Sequence, residues 1–295
     1  MLSSKRNKAI LQALFVTLLW SGSWVFIKLT IHEIPPLTFA GLRYFIAFVV
    51  LLPGLIKKRE KVQKLTKQEW GALLLLGLVY YTFTQGGQIL SLKHLDAITL
   101  SLMLNFTAPL VALIGLLVLH EPVSKLQWGG IALFLLGVLV YFSPDTSGPI
   151  TSLGLALGVF TVLANAVAAV LGRRINRGQR LDPLIATGIS MGFGAVLLLS
   201  SGISIEGFPS LNGRTWLLLI VLAVVNTAFA FWLWNKSLQV LTAMESSVIN
   251  NTMLIQISIL AWLFLGEKLT WIGVVGLAMA AVGTLLVNIK PSTRE

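Results

Sequence analysis

The stretch LKHLDAITLSLMLN, residues 92–105, is answered 146 positions later by LQVLTAMESSVINN, residues 238–251. Leu92, Leu95, Ala97, Ser101 and Asn105 match Leu238, Leu241, Ala243, Ser247 and Asn251 at that single offset. The register extends outward in both directions. Trp70, Leu73 and Leu76 meet Trp216, Leu219 and Leu222 upstream, while Glu121, Gly130 and Gly137 meet Glu267, Gly276 and Gly283 downstream. A constant offset that carries Asn, Glu, Ser and Trp through four consecutive segments marks an internal duplication, not coincidence in leucine-rich text.

The duplicated unit is made for a bilayer. The 295 residues are 56% hydrophobic and 11% charged, far from the balance of a soluble domain. Apolar stretches of about 20 residues, the length that crosses a bilayer as a helix, recur near 9–30, 36–56, 69–91, 97–119, 126–142, 152–173, 182–201, 214–237, 243–265 and 270–289. Ten predicted spans define an all-α polytopic membrane protein. A turn-rich connector at 143–152, with Pro144, Asp145, Gly148 and Pro149, separates five spans from five. The expected domains are therefore two five-helix repeats, residues 1–145 and 150–290. An odd number of spans per copy requires the second to be inverted, the arrangement of alternating-access carriers. Pro36, Leu37 and Gly41 also match Pro183, Leu184 and Gly188, with the register slipped by one.

The net charge of +11 is a topology signal. Lys5, Arg6 and Lys8 precede the first span, six lysines and arginines from Lys57 to Lys67 follow the second, Arg173, Arg174, Arg177 and Arg180 follow the sixth, and Lys290 and Arg294 follow the tenth. Basic residues thus mark every second loop, so the positive-inside rule predicts a multi-pass protein of the cell (inner) membrane with both termini cytoplasmic. Because topology accounts for these charges, nucleic-acid binding is set aside. The first span follows a basic segment like that of a signal peptide, but no small-residue cleavage site comes after it, so it is read as retained. The chain has no cysteine, which removes disulfides, thiolate metal sites and cysteine nucleophiles. Helix starts are legible at Thr66 with Glu69 and at Ser124 with Gln127, both capping boxes, and at Thr270.

Polar groups inside hydrocarbon are costly and point to a functional site. Tyr81, Gln85 and Gln88, with Thr84 beside them, fall on one helical stripe of the third span. Ser101 and Asn105 share a face of the fourth span, as Ser247 and Asn251 do in the ninth. Trp20 and Trp24 come from the first span, Thr161 and Asn165 from the sixth, and Asn226 from the eighth. Together they predict a central cavity of aromatic walls and neutral hydrogen-bonding groups, a small-molecule site and not an ion filter. The serines and asparagines also suit helix packing and interhelical hydrogen bonds. Trp232 and Trp234 suit an interfacial belt. Arg43 suits either a substrate carboxylate or, slightly better, the outer headgroups by snorkelling. Glu245 reads as an interfacial acid or a proton-titrating one. Glu121 and Glu267 read as structural acids at the starts of spans five and ten, and the paired glycines as close-packing faces.

Enzyme chemistry finds no foothold. His32, His94 and His120 lie at span ends without metal-binding spacing. No paired intramembrane carboxylates or phosphate-cradling glycine loop is present, and no cofactor is implied.

LLWSGSWVFIK (residues 18–28) followed by EIPPLTFAGLRY (Glu33–Tyr44) resembles the first two helices of the EamA family in the drug/metabolite transporter superfamily. The join at Leu90–Lys93, Ala108-Pro109, and the Glu121 and Glu267 loops followed by glycine-bearing helices are similar to both copies of that family's repeat. The resemblance spans essentially the whole chain. It implies a ten-helix carrier exporting metabolites, with the cavity built from helices one to four and six to nine, and helices five and ten behind. Small multidrug-resistance relatives couple to protons through an acid in the first helix; here that helix offers Thr17, Ser21, Ser23 and Lys28 instead.

The expected function is a secondary transporter, exporter or facilitator, of a small metabolite such as an amino acid or related solute. Its partners are that substrate and the lipid bilayer, with proton coupling and exchange, and monomer and homodimer, all compatible. A passive channel, and then a membrane-embedded enzyme or scaffold, are the alternatives. The candidate substrate-binding residues are Trp20, Trp24, Arg43, Tyr81, Gln85, Gln88, Asn105, Asn165, Asn226 and Asn251.

Overall fold

The computed structural model describes residues 2–30, 35–118, 124–142, 150–176, 181–238, 240–241 and 243–288. The connector at 143–149 and Glu121 lie outside the described residues, as do the side chains of Glu245 and Ser247. The chain runs through α1 (Leu2–Thr30), α2 (Pro36–Lys57), α3 (Lys67–His94), α4 (Ala97–Asn105 continued by Thr107–Val118) and α5 (Lys125–Tyr141). It continues through α6 (Ser152–Asn176), α7 (Pro183–Glu206), α8 (residues 213–238), α9 (Ala243–Leu265) and α10 (Trp271–Asn288). A five-residue helix, Arg59–Gln63, joins α2 to α3, and no strand occurs among the described residues.

Six of these helices are long and apolar enough to cross a membrane: α1, α2, α3, α6, α7 and α8. In the other four expected spans the apolar helix among the described residues is, in turn, Ala97–Val111, Lys125–Tyr141, Ile249–Leu265 and Trp271–Val287. At 1.5 Å per residue the 17 residues of α5 reach only about 26 Å, against a hydrocarbon core of about 30 Å. The short elements are one matched pair of the repeat, α5 with α10. In α4 the interruption has a local cause. Pro109 has no N–H to donate to the Asn105 carbonyl, and the helix tightens at Phe106, whose N–H bonds Met103 O at 3.0 Å.

The expected helix starts are present. Thr66 and Glu69 form a capping box, as do Ser124 and Gln127, and Thr270 Oγ1 accepts from Gly273 N at 3.1 Å. Asp96, Asp182 and Asn212 cap α4, α7 and α8 in the same manner. Each satisfies an N–H left without a partner in the first helical turn.

Packing follows the repeat. α1 lies against α8 and α9, and α6 against α3 and α4; α2 meets α8 where α7 meets α3. The elements α2 with α7, and α5 with α10, pair with their own counterparts. The last pair is joined through its four matched glycines. A Cβ at Gly137 would come within 2.6 Å of the Gly276 carbonyl oxygen, and one at Gly130 within 2.8 Å of the Gly283 carbonyl oxygen. The backbones themselves touch, as expected for small-residue packing in a bilayer. The outward faces stay apolar: Leu139 is 70% exposed and Trp271 85% exposed, surface suited to acyl chains and headgroups.

Two matched irregularities interrupt the long helices. α3 widens to a π-helix at Gly77–Thr84, and α8 does so at Val224–Phe229. In each, a threonine hydroxyl reaches back five residues: Thr84 Oγ1 to Val79 O, and Thr227 Oγ1 to Leu222 O, both at 2.9 Å. π-Bulges of this kind recur at functional sites, and both flank the bundle's interior.

At the end of the bundle where α2 finishes and α7 begins, Lys58 Nζ lies 2.5 Å from Asp182 Oδ2, with Lys61 Nζ at 3.8 Å. Partial burial pushes the Asp182 carboxyl up, but the Lys58 and Leu184 hydrogen bonds and the two lysine charges outweigh it, leaving the group below its ordinary value. A depressed carboxyl stabilises the fold fully above its unfolded value and loses that contribution as pH falls through the folded one. Asp182→Asn keeps the cap but loses the ion pair. Its melting temperature should lie slightly below wild type at pH 7, since exposed pairs contribute about 0–1 kcal/mol. The two should converge below the ordinary aspartate value of about 3.9, as followed by thermal melts in detergent across pH. A gap that persists at low pH would exclude the ion pair as its source.

Candidate functional site

A single polar stripe on α3 faces the bundle interior, and the helices around it converge on a cavity of about 610 Å³. Nine of the ten candidate residues line it: Trp20, Trp24, Arg43, Tyr81, Gln85, Gln88, Asn105, Asn165 and Asn251. They come from α1, α2, α3, α4, α6 and α9, so both halves of the chain contribute.

The aromatic wall is continuous. Tyr81 packs edge-on against Tyr44 with ring centroids 5.5 Å apart, and lies 6.4 Å from Phe231. Trp20 stacks at a tilt against Phe231 and Trp234, at 5.2 and 5.3 Å. Trp234 therefore belongs to the interior packing of α1 on α8 and not to an interfacial belt. Trp232 keeps the belt geometry: it is 50% exposed, with Lys236 Nζ 5.0 Å above its ring.

Neutral donors and acceptors are set into this wall. Tyr44 OH donates to Gln85 Oε1 at 2.6 Å, which holds the Gln85 side chain on the cavity face. Asn165 Nδ2 donates to Thr107 Oγ1 at 3.1 Å, linking α6 to α4. Asn105 Nδ2 donates to its own helix at Ser101 O, 2.8 Å away, and Ser101 Oγ bonds Ile98 O. The Asn251 side-chain nitrogen is buried with no hydrogen-bond partner among the described residues. Such a donor is costly to leave unmet.

Two candidates sit differently from expectation. Asn226 does not line the cavity: its amide donates to Leu19 O at 2.6 Å and Ser23 Oγ at 2.9 Å, tying α8 to α1. Buried against α1, where Leu19 O also accepts from Ser23 Oγ at 3.0 Å, it is spent on interhelical bonding. Arg43 does not snorkel. It is 6% exposed, lines the cavity, and donates from Nε to Thr227 Oγ1 at 2.8 Å. The π-turn of α8 places that hydroxyl where it can meet the guanidinium, sooner than the headgroups can.

A third correction concerns Glu267. Its carboxylate caps α4, not the helix it precedes in sequence, accepting from Ala97 N at 2.7 Å and Ile98 N at 3.0 Å. Burial pushes this carboxyl up, and the two N–H bonds only partly offset the rise. On the same end of the bundle, Lys28 Nζ donates to Leu92 O at 2.6 Å and to Leu95 O, capping the end of α3. These contacts draw α1, α3, α4 and the α9–α10 loop together. Cavity-lining residues extend toward the opposite end, reaching Gly172 of α6 and Pro183 of α7.

Sequence inspection missed several polar groups: Tyr44, Tyr80, Thr107 and Asn250 line the cavity, and Gln256 lies behind it in a network of its own. Gln256 of α9 accepts from Ser21 Oγ at 2.9 Å and donates to Thr17 and Thr252 hydroxyls, both at 3.1 Å. Its spacing of four from Thr252, in an apolar run, was the available signal. No cluster of three His, Cys, Asp or Glu side chains able to hold a metal occurs among the described residues.

An apolar helical bundle around a polar and aromatic cavity, drawing lining groups from both halves of its chain, is the build of a membrane transporter. A model of the EamA-like transporter family matches residues 7–143 and again 152–289, and the chain belongs to that family. It is a multi-pass membrane protein. It is 29% identical to the uncharacterized transporter YvbV of Bacillus subtilis (strain 168), over 99% of this chain and 94% of that one. It is 26% identical to an S-adenosylmethionine/S-adenosylhomocysteine transporter of Chlamydia trachomatis serovar L2, covering 85% of this chain and 80% of that one. A further relative at 26% identity, named "Probable amino-acid metabolite efflux pump", comes from Salmonella typhimurium (strain LT2), with 77% of this chain and 76% of that one covered.

Proposed function

We propose that this chain is a secondary carrier that moves a small metabolite, an amino acid or a related solute, across the cell (inner) membrane by alternating access. The observation that carries this reading is the composition of the cavity wall: aromatic faces with neutral amides and hydroxyls from both halves. Its volume of about 610 Å³ falls within the range of small-molecule sites. The names of the chlamydial and Salmonella relatives, an adenosylated amino acid and amino-acid metabolites, favour the same solute class. In this reading ten helices form two inverted repeats with both termini cytoplasmic, and the two-fold pairing of helix contacts supports that arrangement.

The closed end of the cavity favours a carrier over a passive channel. Lys28 and Glu267 bind backbone groups of α3 and α4 there, whereas the lining reaches outward at the α6–α7 end. One-sided access is what a rocking carrier presents in one of its two states. The α4 cap would be released as the halves exchange positions.

Counterflow in proteoliposomes with a panel of amino acids, amines and sugars tests the reading. Saturable exchange of at least one solute is expected, and unsaturable flux or single-channel current would replace the carrier with a channel. Gln85→Leu with Gln88→Leu should lower that exchange at least about a hundredfold, as expected when two positioned polar contacts are lost. The double mutant should retain its monodispersity in detergent. Unchanged uptake would remove the α3 stripe from the site.

A further inference from the structure

Arg43 is a cation without an acidic partner among the described residues. It lies seven residues into α2, about 10 Å from the helix start at 1.5 Å per residue, and is 6% exposed. Of the six described acidic side chains, Glu60 is exposed on the short helix between α2 and α3, and the other five are engaged at helix ends. Glu69 serves Thr66, Asp96 serves Thr99, Asp182 serves Lys58, Glu206 serves Thr38 and Glu267 serves α4. None of the ion pairs among the described residues includes Arg43. A buried guanidinium in a membrane bundle normally pairs with an acid or marks a ligand path, because leaving it uncompensated is expensive.

Its surroundings hold the side chain and leave its end open. Thr227 Oγ1 donates to Leu222 O and accepts from Arg43 Nε, so the π-turn of α8 fixes one edge of the guanidinium. The Tyr44 ring lies 5.7 Å from the guanidinium carbon. No hydrogen-bond partner among the described residues meets the two terminal nitrogens, and the residue lines the cavity. Those nitrogens form the fork that matches a carboxylate.

Two more observations agree. The counterpart position in the second half is Ser190, whose hydroxyl bonds its own helix at Ala186 O. The charge is therefore absent from the shared scaffold and belongs to one half only. Asn251, also on the cavity wall, holds an amide nitrogen without an acceptor. The wall thus offers donors in excess, and a cargo with acceptor oxygens would satisfy them.

We propose that Arg43 is the anion-recognising residue of the cavity, and that the cargo carries a carboxylate whose apolar or aromatic body rests on Tyr44, Tyr81 and Phe231. Arg43 is the only basic side chain among the described residues that line the cavity. One fixed positive charge matches a single carboxylate; a phosphate dianion calls for more than one cation. The proposal rests on the carrier reading above and deepens it.

The test uses purified full-length protein in detergent and in proteoliposomes. The probes are phenylalanine, 3-phenylpropionate and benzoate, each beside its amide: phenylalaninamide, 3-phenylpropanamide and benzamide. Calorimetry should show the acids binding about ten- to a hundredfold tighter than their amides, the range set by one charge-assisted hydrogen-bonded pair. Arg43→Gln should erase that preference, and Arg43→Lys should restore part of it. Without probe, Arg43→Gln should melt no lower than wild type, because it removes an unpaired buried charge. Equal binding of acids and amides, unchanged acid affinity in Arg43→Gln, or no binding of any acid would each overturn the proposal. So would a melting temperature for Arg43→Gln many degrees below wild type, which would make the charge part of the scaffold. Acid-selective binding with no flux of any probe would keep the anion site and remove the carrier. Flux of acids and amides alike, unaltered in Arg43→Gln, would keep the carrier and remove the anion site.

Discussion

Gly137→Leu is expected to abolish recovery of monodisperse protein from detergent, or to lower its melting temperature more than any cavity substitution. A Cβ at this position meets the Gly276 carbonyl oxygen at 2.6 Å and the Met279 Cβ at 2.9 Å. The first obstacle is backbone, which has no rotamer to yield. Relief requires α5 to move away from α10, opening the contact along its length. Overpacking in a well-filled interior costs about 1–3 kcal/mol, and this case belongs at or above the upper end. Gly129→Leu is the matched control. It lies eight residues earlier on the same helix, with nothing within 4 Å of a Cβ, and exchanging glycine for leucine in a helix should stabilise by several tenths of a kcal/mol. Size-exclusion chromatography and thermal melts of the two variants decide the matter. Equal behaviour would mean that α5 and α10 are not joined through their glycines.

Glu267→Ala is expected to destabilise the protein by about 2–4 kcal/mol, from the loss of two charge-assisted hydrogen bonds at a helix start. The bonds are those to Ala97 N and Ile98 N. Removing the carboxylate leaves both donors at the α4 terminus without their partner and takes a negative charge from the neighbourhood of Lys28. Glu267→Gln keeps one acceptor oxygen and should recover part of the loss. Hydrogen exchange at Ala97 and Ile98 gives a local reading: protection should fall in Glu267→Ala and remain intermediate in Glu267→Gln. Wild-type protection in the alanine variant would contradict the cap.

Glu267 also marks a limit of sequence reading. The glutamate repeats at the 146-residue offset and precedes a helix, so it reads naturally as a charge at the start of α10. Its actual partners lie 169 and 170 residues away in sequence. Proximity along the chain suggested a dipole effect, and the folded chain supplies a different dipole, that of α4. Asn226 shows the reverse displacement. Its polarity within an apolar span was legible, but the carbonyl and hydroxyl that claim it belong to α1.

Arg43 could be seen but not interpreted. Seven residues from a helix start, an arginine is long enough to reach headgroups. The competing partner, Thr227, is 184 residues away in sequence and is presented only because α8 widens to a π-turn. No periodicity announces that turn. The α3 stripe was easier, since i, i+4, i+7 spacing of Tyr81, Gln85 and Gln88 fixes a face whatever the neighbouring helices do.

Local and periodic properties were settled by the sequence alone: helical class, membrane character, the duplicated register, three helix starts and the residues sharing each polar stripe. These follow from 3.6-residue geometry and from the cost of placing backbone and side-chain polarity in hydrocarbon. Tertiary structure decided which polar groups satisfy one another and which are left facing the cavity. Hydrogen bonds between helices depend on crossing geometry at sequence separations from 41 to 239 residues, and a sequence states donors and acceptors without stating their pairing. The repeat at residues 92–105 and 238–251 thus defines two like units. Only their packing against each other leaves the terminal nitrogens of Arg43 and the amide of Asn251 without partners among the described residues on one shared wall.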